Sequence, residues 1–122
     1  MILADTSVWI EHLRTRDGVL SALLIARQVA VHPFVVGEVL LGSLRDPDQV
    51  ADELLSLRTT PMASDLEVRQ LIRSFQLSGT GIGYVDAHLL AAAKLAPGTL
   101  LWTFDQRLNA VAARLQLAYL IN

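Results

Sequence analysis

The 122-residue chain contains no cysteine, which excludes disulfide bonds, thiolate metal sites and cysteine nucleophiles. It also lacks a run of about 18 apolar residues, the length that a membrane-spanning helix requires, so we expect no membrane partner. No basic segment precedes an apolar stretch near Met1, which argues against a signal peptide. These absences are compatible with a cytoplasmic protein, and we expect that location.

The length and composition favour one globular domain, which we expect to span residues 1–122, with 52% hydrophobic residues to fill its core. The formal net charge of −2 argues at first against a nucleic-acid partner. If four of the twelve acidic residues bind metal, however, eight remain against ten basic residues, and the rest of the chain carries +2. Nine of the basic residues are arginine, which suits bidentate phosphate contacts, although a GC-rich genome produces the same bias.

Four acidic residues stand in stretches that otherwise have the composition of a protein core. They are Asp5 after Met1-Ile-Leu-Ala, Glu38 within Phe34-Val-Val-Gly-Glu-Val-Leu-Leu, Asp86 within Ile82-Gly-Tyr-Val-Asp-Ala-His-Leu-Leu, and Asp105 after Leu100-Leu-Trp-Thr-Phe. An ionised carboxylate is costly to bury unless it is paired or binds a metal. A hard divalent cation such as Mg²⁺ or Mn²⁺ prefers oxygen ligands and supplies one shared explanation.

Each acid also has a purely structural interpretation. Asp5 and Asp105 are suitable helix N-caps, Asp86 is suitable for the start of a helix, and Glu38 for the solvated side of an amphipathic helix. Local pairing does not explain Glu38 or Asp86, because no basic residue lies within one helical turn of either. Both interpretations remain open from the residues alone.

The hydrophobic pattern alternates short apolar runs with helical segments. Strands are predicted at 2–4, 29–32, 59–62, 99–103 and 118–121. Helices are predicted at 7–14, 19–26, 34–44, 46–58, 64–77, 85–95 and 105–115, with a turn at 16–18. This alternation predicts a parallel sheet covered by helices on both faces. Asp5 and Asp105 then follow the carboxyl ends of the first and fourth strands, where open α/β sheets bind ligands.

The glycine-rich segment Ser78-Gly-Thr-Gly-Ile-Gly83 is a weak candidate for a phosphate cradle. A dinucleotide fingerprint requires a preceding strand, and this segment follows a predicted helix instead. It also lacks the Lys-Ser/Thr ending of a P-loop. We interpret it as a loop that leads into the helix of Asp86.

Four motifs resemble those of PIN-domain ribonucleases, specifically the VapC toxins of bacterial toxin-antitoxin pairs. They are Leu3-Ala-Asp5-Thr-Ser-Val-Trp9, Glu38-Val-Leu-Leu-Gly42, Ile82-Gly-Tyr-Val-Asp86-Ala-His-Leu-Leu-Ala-Ala92, and Leu101-Trp-Thr-Phe-Asp105-Gln-Arg-Leu108. Each motif is weak alone, but their order and spacing together cover essentially the whole chain. The resemblance implies an α/β/α sandwich with a central parallel sheet.

The resemblance also implies an endoribonuclease that depends on Mg²⁺ or Mn²⁺, forms a homodimer and is inhibited by a cognate antitoxin. By position, Asp5 and Asp86 resemble the central metal ligands, and Asp105 and Glu38 complete the acidic pocket. Thr6 and Thr103 would be supporting hydroxyl groups. The stretch Asp105-Gln-Arg107 lacks a further acid found in some related domains, so the number of metal ions is left open.

Two other functional classes remain as alternatives. A haloacid-dehalogenase-like phosphatase also begins with a strand-end Asp, but it requires a second Asp two residues later, where this chain has Ser7. A non-catalytic PIN-like module that binds a protein partner is the other alternative, and the intact acid set argues against it.

Three arginines are predicted to bind RNA. Arg14, Arg16 and Arg107 follow elements that begin at the acids, and we expect them to contact the RNA backbone at the rim of the acidic pocket.

Overall fold

The computed structural model describes residues 1–16 and 18–120. Its strands are β1 (Ile2–Ala4), β2 (Val29–Val31), β3 (Arg58–Thr59) and β4 (Leu100–Trp102). Its helices are α1 (Thr6–Thr15), α2 (Val19–Ile25), α3 (Pro33–Leu40), α4 (Pro47–Leu55), α5 (Asp65–Ser74), α6 (Tyr84–Leu95) and α7 (Gln106–Arg114). The predicted turn at 16–18 includes Asp17, which lies outside the described residues.

The four strands form one parallel sheet in the order β3-β2-β1-β4. Strand β1 is central, and its Leu3 pairs with Ala30 on one side and Leu101 on the other. Connections between parallel strands run through helices, and the predicted α/β/α sandwich is confirmed. All four carboxyl ends therefore lie at one edge of the sheet, where Asp5 follows β1 and Thr103 follows β4.

The core is aliphatic and centres on the sheet and on α6. Every residue of β1 and β2 is buried, and so is the run from Ala87 to Ala93 in α6. Helix α6 contacts both β4 and α5, whereas α1 contacts α2 and α3. The acid at the start of α6 is thus carried by one of the most deeply buried helices, which gives it a rigid support.

Several predicted boundaries were wrong by a few residues. Helix α3 ends at Leu40 because the chain turns at Gly42, whose N–H donates to the Val39 carbonyl. Helix α4 stops at Leu55, since Arg58 already pairs with Ala30 in the sheet. Helix α5 ends at Ser74, before the left-handed turn at Gln76.

The predicted fifth strand is reduced to a single bridge. Ala118 pairs in parallel with Leu101, while Ile121 lies outside the described residues. The predicted N-terminal signals of the helices were more accurate: Asp46 caps α4 with Pro47 in its first turn, and Ser64 and Glu67 form a capping box on α5.

Candidate active site

Asp5 lies at the carboxyl end of β1 and caps the N-terminus of α1. Its Oδ1 accepts hydrogen bonds from the Val8 N–H at 3.2 Å and the Ser7 hydroxyl at 2.6 Å. Its Oδ2 accepts the hydroxyl hydrogen of Thr103. The side chain is buried, so three donors from two segments of the chain fix its orientation. The structural interpretation of Asp5 as an N-cap is correct, and it is compatible with a position at the edge of the sheet where ligands bind.

Thr103 connects two of the predicted acids. Its Oγ1 donates to Asp5 and accepts the backbone N–H of Asp105 at 3.0 Å. A second bridge runs beside it, because the Ser7 hydroxyl also accepts the Phe104 N–H at 3.1 Å. Ser7 was not among the predicted site residues. The available signal was a hydroxyl two residues after a strand-end acid, a pattern too common to single it out.

Asp105 caps α7 in the same way that Asp5 caps α1. Its Oδ1 accepts the N–H groups of Arg107 at 2.9 Å and Leu108 at 3.1 Å. Within the described residues its Oδ2 accepts no protein hydrogen bond, and the side chain is exposed. One oxygen therefore anchors the acid, and the other accepts no hydrogen bond from the described part of the chain.

Glu38 reaches the site from α3. The residue is exposed, and its Oε1 accepts the hydroxyl hydrogen of Thr6 at 2.6 Å. Thr6 is the first residue of α1 and follows Asp5 directly. Glu38 therefore contacts the residue that directly follows Asp5, near the carboxyl end of β1.

Asp86 stands in the first turn of α6, where its Oδ2 accepts the Gly83 N–H at 3.0 Å. Burial raises the pKa of the Asp86 carboxyl, and the negative charges of Asp105, Asp5 and Glu38 raise it further. The bond from Gly83 opposes this rise in pKa. The other three predicted acids thus all contribute to the raised pKa of Asp86.

Comparison with known proteins identifies the family. A family model described as the PIN domain matches residues 2–114. Ribonuclease VapC32 of Mycobacterium tuberculosis is 46% identical over 113 residues, which cover 93% of this chain and 91% of that protein, in strains CDC 1551 / Oshkosh and ATCC 25618 / H37Rv alike. The chain belongs to the PIN-domain family of VapC ribonucleases. The predicted family is confirmed, and so is the prediction of a toxin-antitoxin endoribonuclease.

Two solved structures share the PIN fold with this chain. PAE2754 from Pyrobaculum aerophilum superposes with a TM-score of 0.69 at 17% identity, covering 97% of this chain and 87% of the other. FitAcB from Neisseria gonorrhoeae superposes with a TM-score of 0.63 at 24% identity, covering 93% and 94%. Identities this low support the architecture alone.

VapC PIN domains generally depend on a divalent metal, and the donor atoms at this site have the corresponding chemistry. All four acids offer carboxylate oxygens, the ligands that Mg²⁺ and Mn²⁺ prefer. In the ranges 1–16 and 18–120, however, no three His, Cys, Asp or Glu side chains form a group that could hold a metal ion as they stand. Mg²⁺ keeps several of its waters when bound and is usually held by one or two carboxylates. The donor set therefore fits such an ion with water completing its shell.

The three predicted RNA-binding arginines differ in their surroundings. Arg14 pairs with Glu11 at 2.6 Å and Arg16 with Glu53 at 3.2 Å. Arg107 lies instead across the backbone of Gly81, in the loop before α6. Of the three, only Arg107 is left without an ion pair in the described part of the chain.

The aromatic and histidine side chains lie mostly in the core. Trp9 and Trp102 are buried. Tyr84 is exposed, and its hydroxyl donates to Asp65 at the start of α5. His32 is fully buried and caps α3 through Nδ1, which accepts the Phe34 N–H at 3.0 Å. Among the described residues, none of these four side chains forms a hydrogen bond with a predicted acid.

Proposed function

We propose that this PIN domain cleaves RNA at a divalent-metal site formed by Asp5, Glu38, Asp86 and Asp105, with Thr6 and Thr103 as supporting hydroxyl groups. The observation that carries the proposal is the double role of Thr103, which bridges Asp5 and Asp105 across the ends of β1 and β4. The contact between Thr6 and Glu38 adds the third acid. The raised pKa of Asp86 supports its inclusion as the fourth.

The residues of the chain position the reaction rather than take part in it covalently. Asp5 is held by three hydrogen-bond donors, and Asp86 by the Gly83 N–H. A divalent cation bound by these carboxylates would neutralise charge at the phosphoryl oxygens and activate a water nucleophile. Because water, and not the ribose 2′-hydroxyl, would then attack, the products would carry a 5′-phosphate and a 3′-hydroxyl.

The proposal extends to the partners and the organisation of the protein. VapC toxins pair with VapB antitoxins, and we infer a cognate antitoxin and a homodimer for this chain. We also infer that residues 1–122 form one domain that acts on cytoplasmic RNA. None of the helices in the described ranges has the length and apolar character needed to cross a membrane.

The test is cleavage of end-labelled cellular RNA by the purified protein with Mg²⁺, with Mn²⁺ and with EDTA. We expect cuts only with a metal present, ending in 5′-phosphate and 3′-hydroxyl groups. Asp86→Asn should abolish cleavage. Asp52→Asn makes the same chemical change at an exposed position on α4 and should leave cleavage unchanged.

Three results would contradict the proposal in different ways. Products with a 2′,3′-cyclic phosphate would reject water as the nucleophile. Equal cleavage by the Asp86→Asn protein would reject the acidic site. Absence of cleavage by the wild-type protein on every RNA tested, with antitoxin binding retained, would favour the non-catalytic protein-binding module.

A further inference from the structure

A basic cleft lies between α7 and the glycine-rich loop 78–83. It has a volume of about 440 Å³ and is lined by Thr80, Gln106, Arg107, Ala110, Val111 and Arg114. The lining contains two arginines and no acidic residue. The cleft begins next to the acidic site, because Arg107 donates its backbone N–H to Asp105, and loop 78–83 leads into the helix of Asp86.

The position of the Arg107 side chain depends on the absence of a side chain at Gly81. A Cβ at Gly81 would lie 2.7 Å from Cδ of Arg107 and 3.2 Å from both Nε and Nη1. Gly81 also has a φ of +88°, which favours glycine. The guanidinium group therefore rests on the backbone of the loop, and this contact explains one of the three glycines in the segment.

The two arginines of the cleft retain donors for a ligand. Among the described residues Arg107 has no ion pair, although Asp105 lies two positions before it. Nη2 of Arg114 donates a hydrogen bond to the Phe75 carbonyl at 3.0 Å. The other N–H groups of the Arg114 guanidinium have no hydrogen-bond acceptor among the described residues. The two residues are seven positions apart on α7, so they lie on the same side of the helix about 10 Å apart.

We propose that this basic cleft binds the phosphodiester backbone of single-stranded RNA on its way out of the acidic site, with Arg107 and Arg114 each contacting one phosphate. The inference depends on the proposed function, since it assumes that RNA is cleaved at the four acids. Grooves that bind single strands without sequence preference combine positive charge with contacts along the backbone. Guanidinium groups match phosphate oxygens in a bidentate geometry.

A larger groove of about 800 Å³ beside α1 is a weaker candidate for this role. It is lined by Arg14, Arg16 and Arg45 among other residues, and also by Asp46. Two of these arginines already pair with Glu11 and Glu53. An RNA phosphate would have to compete with both carboxylates there, whereas Arg107 is ion-paired with none of the described carboxylates.

The salt dependence of RNA binding tests the cleft. Fluorescence anisotropy of a labelled single-stranded RNA of about ten nucleotides, in EDTA to prevent cleavage, gives the slope of log K against log salt. Arg107→Gln and Arg114→Gln should each weaken binding and reduce the slope by about 0.7, and the double variant by about 1.4. Arg27→Gln removes the same charge before β2, at the opposite edge of the sheet, and should leave the slope unchanged. An unchanged slope for either cleft variant overturns the proposal.

A pair of glycine substitutions tests the contact without changing charge. Gly79 and Gly81 both have positive φ, at +78° and +88°, but a Cβ at Gly79 would meet nothing within 4 Å. Gly81→Ala should therefore weaken RNA binding more than Gly79→Ala does. In an Arg107→Gln background the two alanine variants should bind RNA equally. If Gly81→Ala still weakens RNA binding more than Gly79→Ala does in that background, the role given to Arg107 is contradicted.

The inference and the proposed function fail in distinguishable ways. If Asp86→Asn still cleaves RNA, the acidic site is wrong whatever the anisotropy shows. If Asp86→Asn abolishes cleavage while the slopes of both arginine variants equal that of the wild type, the site stands and the cleft is not the path of the RNA.

Discussion

The hydroxyl group of Thr6 donates a hydrogen bond to Oε1 of Glu38 over 2.6 Å. The bond joins the first residue of α1 to α3 across 32 positions of sequence. Glu38 is exposed, and this contact holds its side chain toward the end of β1.

Thr6→Val should therefore reduce RNA cleavage. Loss of a hydrogen bond to a ligating carboxylate typically lowers metal affinity or activity by roughly 10–100-fold, and we expect a loss in this range. Thr6→Ser retains the hydroxyl group and should recover most of the activity. Cleavage rates as a function of Mn²⁺ concentration measure the effect. Equal rates for the valine variant and the wild type would show that Glu38 is not held by Thr6 in the working enzyme.

Thr103→Val should reduce both stability and cleavage. The substitution keeps the shape of a buried side chain but removes the bridge between Asp5 and the Asp105 N–H. An unsatisfied buried group costs about 1–3 kcal/mol, and we expect a decrease of this size in the free energy of unfolding. Urea denaturation measures it, with Thr103→Ser as the control that retains the bridge. A valine variant as stable as the wild type would contradict the bridge.

Asp86→Asn should not lower the melting temperature in EDTA near neutral pH. The folded protein raises the pKa of Asp86, first through burial. The protonated Asp86 carboxyl therefore stabilises the folded state fully below the ordinary Asp pKa. This stabilisation is lost as the pH rises through the raised pKa of Asp86 in the folded protein. Ionised Asp86 disfavours the fold at neutral pH, and asparagine removes that charge while its amide oxygen can still accept the Gly83 N–H.

Added Mn²⁺ should raise the melting temperature of the wild type more than that of the Asp86→Asn protein, because a cation that binds only the folded state stabilises it by mass action. Differential scanning fluorimetry with EDTA and with Mn²⁺ makes both measurements. A variant that melts well below the wild type in EDTA would identify Asp86 as a structural acid.

His32 should make the protein less stable in mild acid. Burial, and secondarily the charge of His88, lowers the pKa of His32 from 6.5 to about 4. Because the unfolded chain binds this proton more readily, stability present above pH 6.5 is lost as the pH falls toward 4, by up to about 3 kcal/mol. Asparagine at position 32 can still cap α3 but does not titrate. The free energy of unfolding of His32→Asn should therefore depend less on pH than that of the wild type over this interval. If the free energy of unfolding falls equally with pH in His32→Asn and in the wild type, the loss of stability in acid does not come from His32.

The order of the elements and the edge where the acids lie were predictable from local signals. Hydrophobic runs located β1 and β4, and the acids that follow these runs indicated the carboxyl edge of the sheet. The ends of α3, α4 and α5 were not predictable, because tertiary pairing decides them. Arg58 illustrates this, since its pairing with Ala30 overrides the helical pattern that precedes it.

The contacts that organise the site were beyond sequence reasoning. The bonds from Thr103 to Asp5 and from Phe104 to Ser7 join residues about 100 positions apart, and they depend on the register of β1 against β4. The position of Arg107 over Gly81 likewise depends on the angle at which α7 meets loop 78–83. No periodicity or motif in the chain encodes these distances.

The central place of β1 in the sheet has a consequence for the order in which the fold can form. One of its two neighbours, β4, consists of residues near position 100, and Thr103 and Asp5 are 98 positions apart. Pairing such distant segments requires the closure of a long loop, which slows folding. The bridge from Asp5 to Asp105 cannot form before β1 and β4 have come together, so we expect the carboxyl edge of the sheet to be organised late in folding.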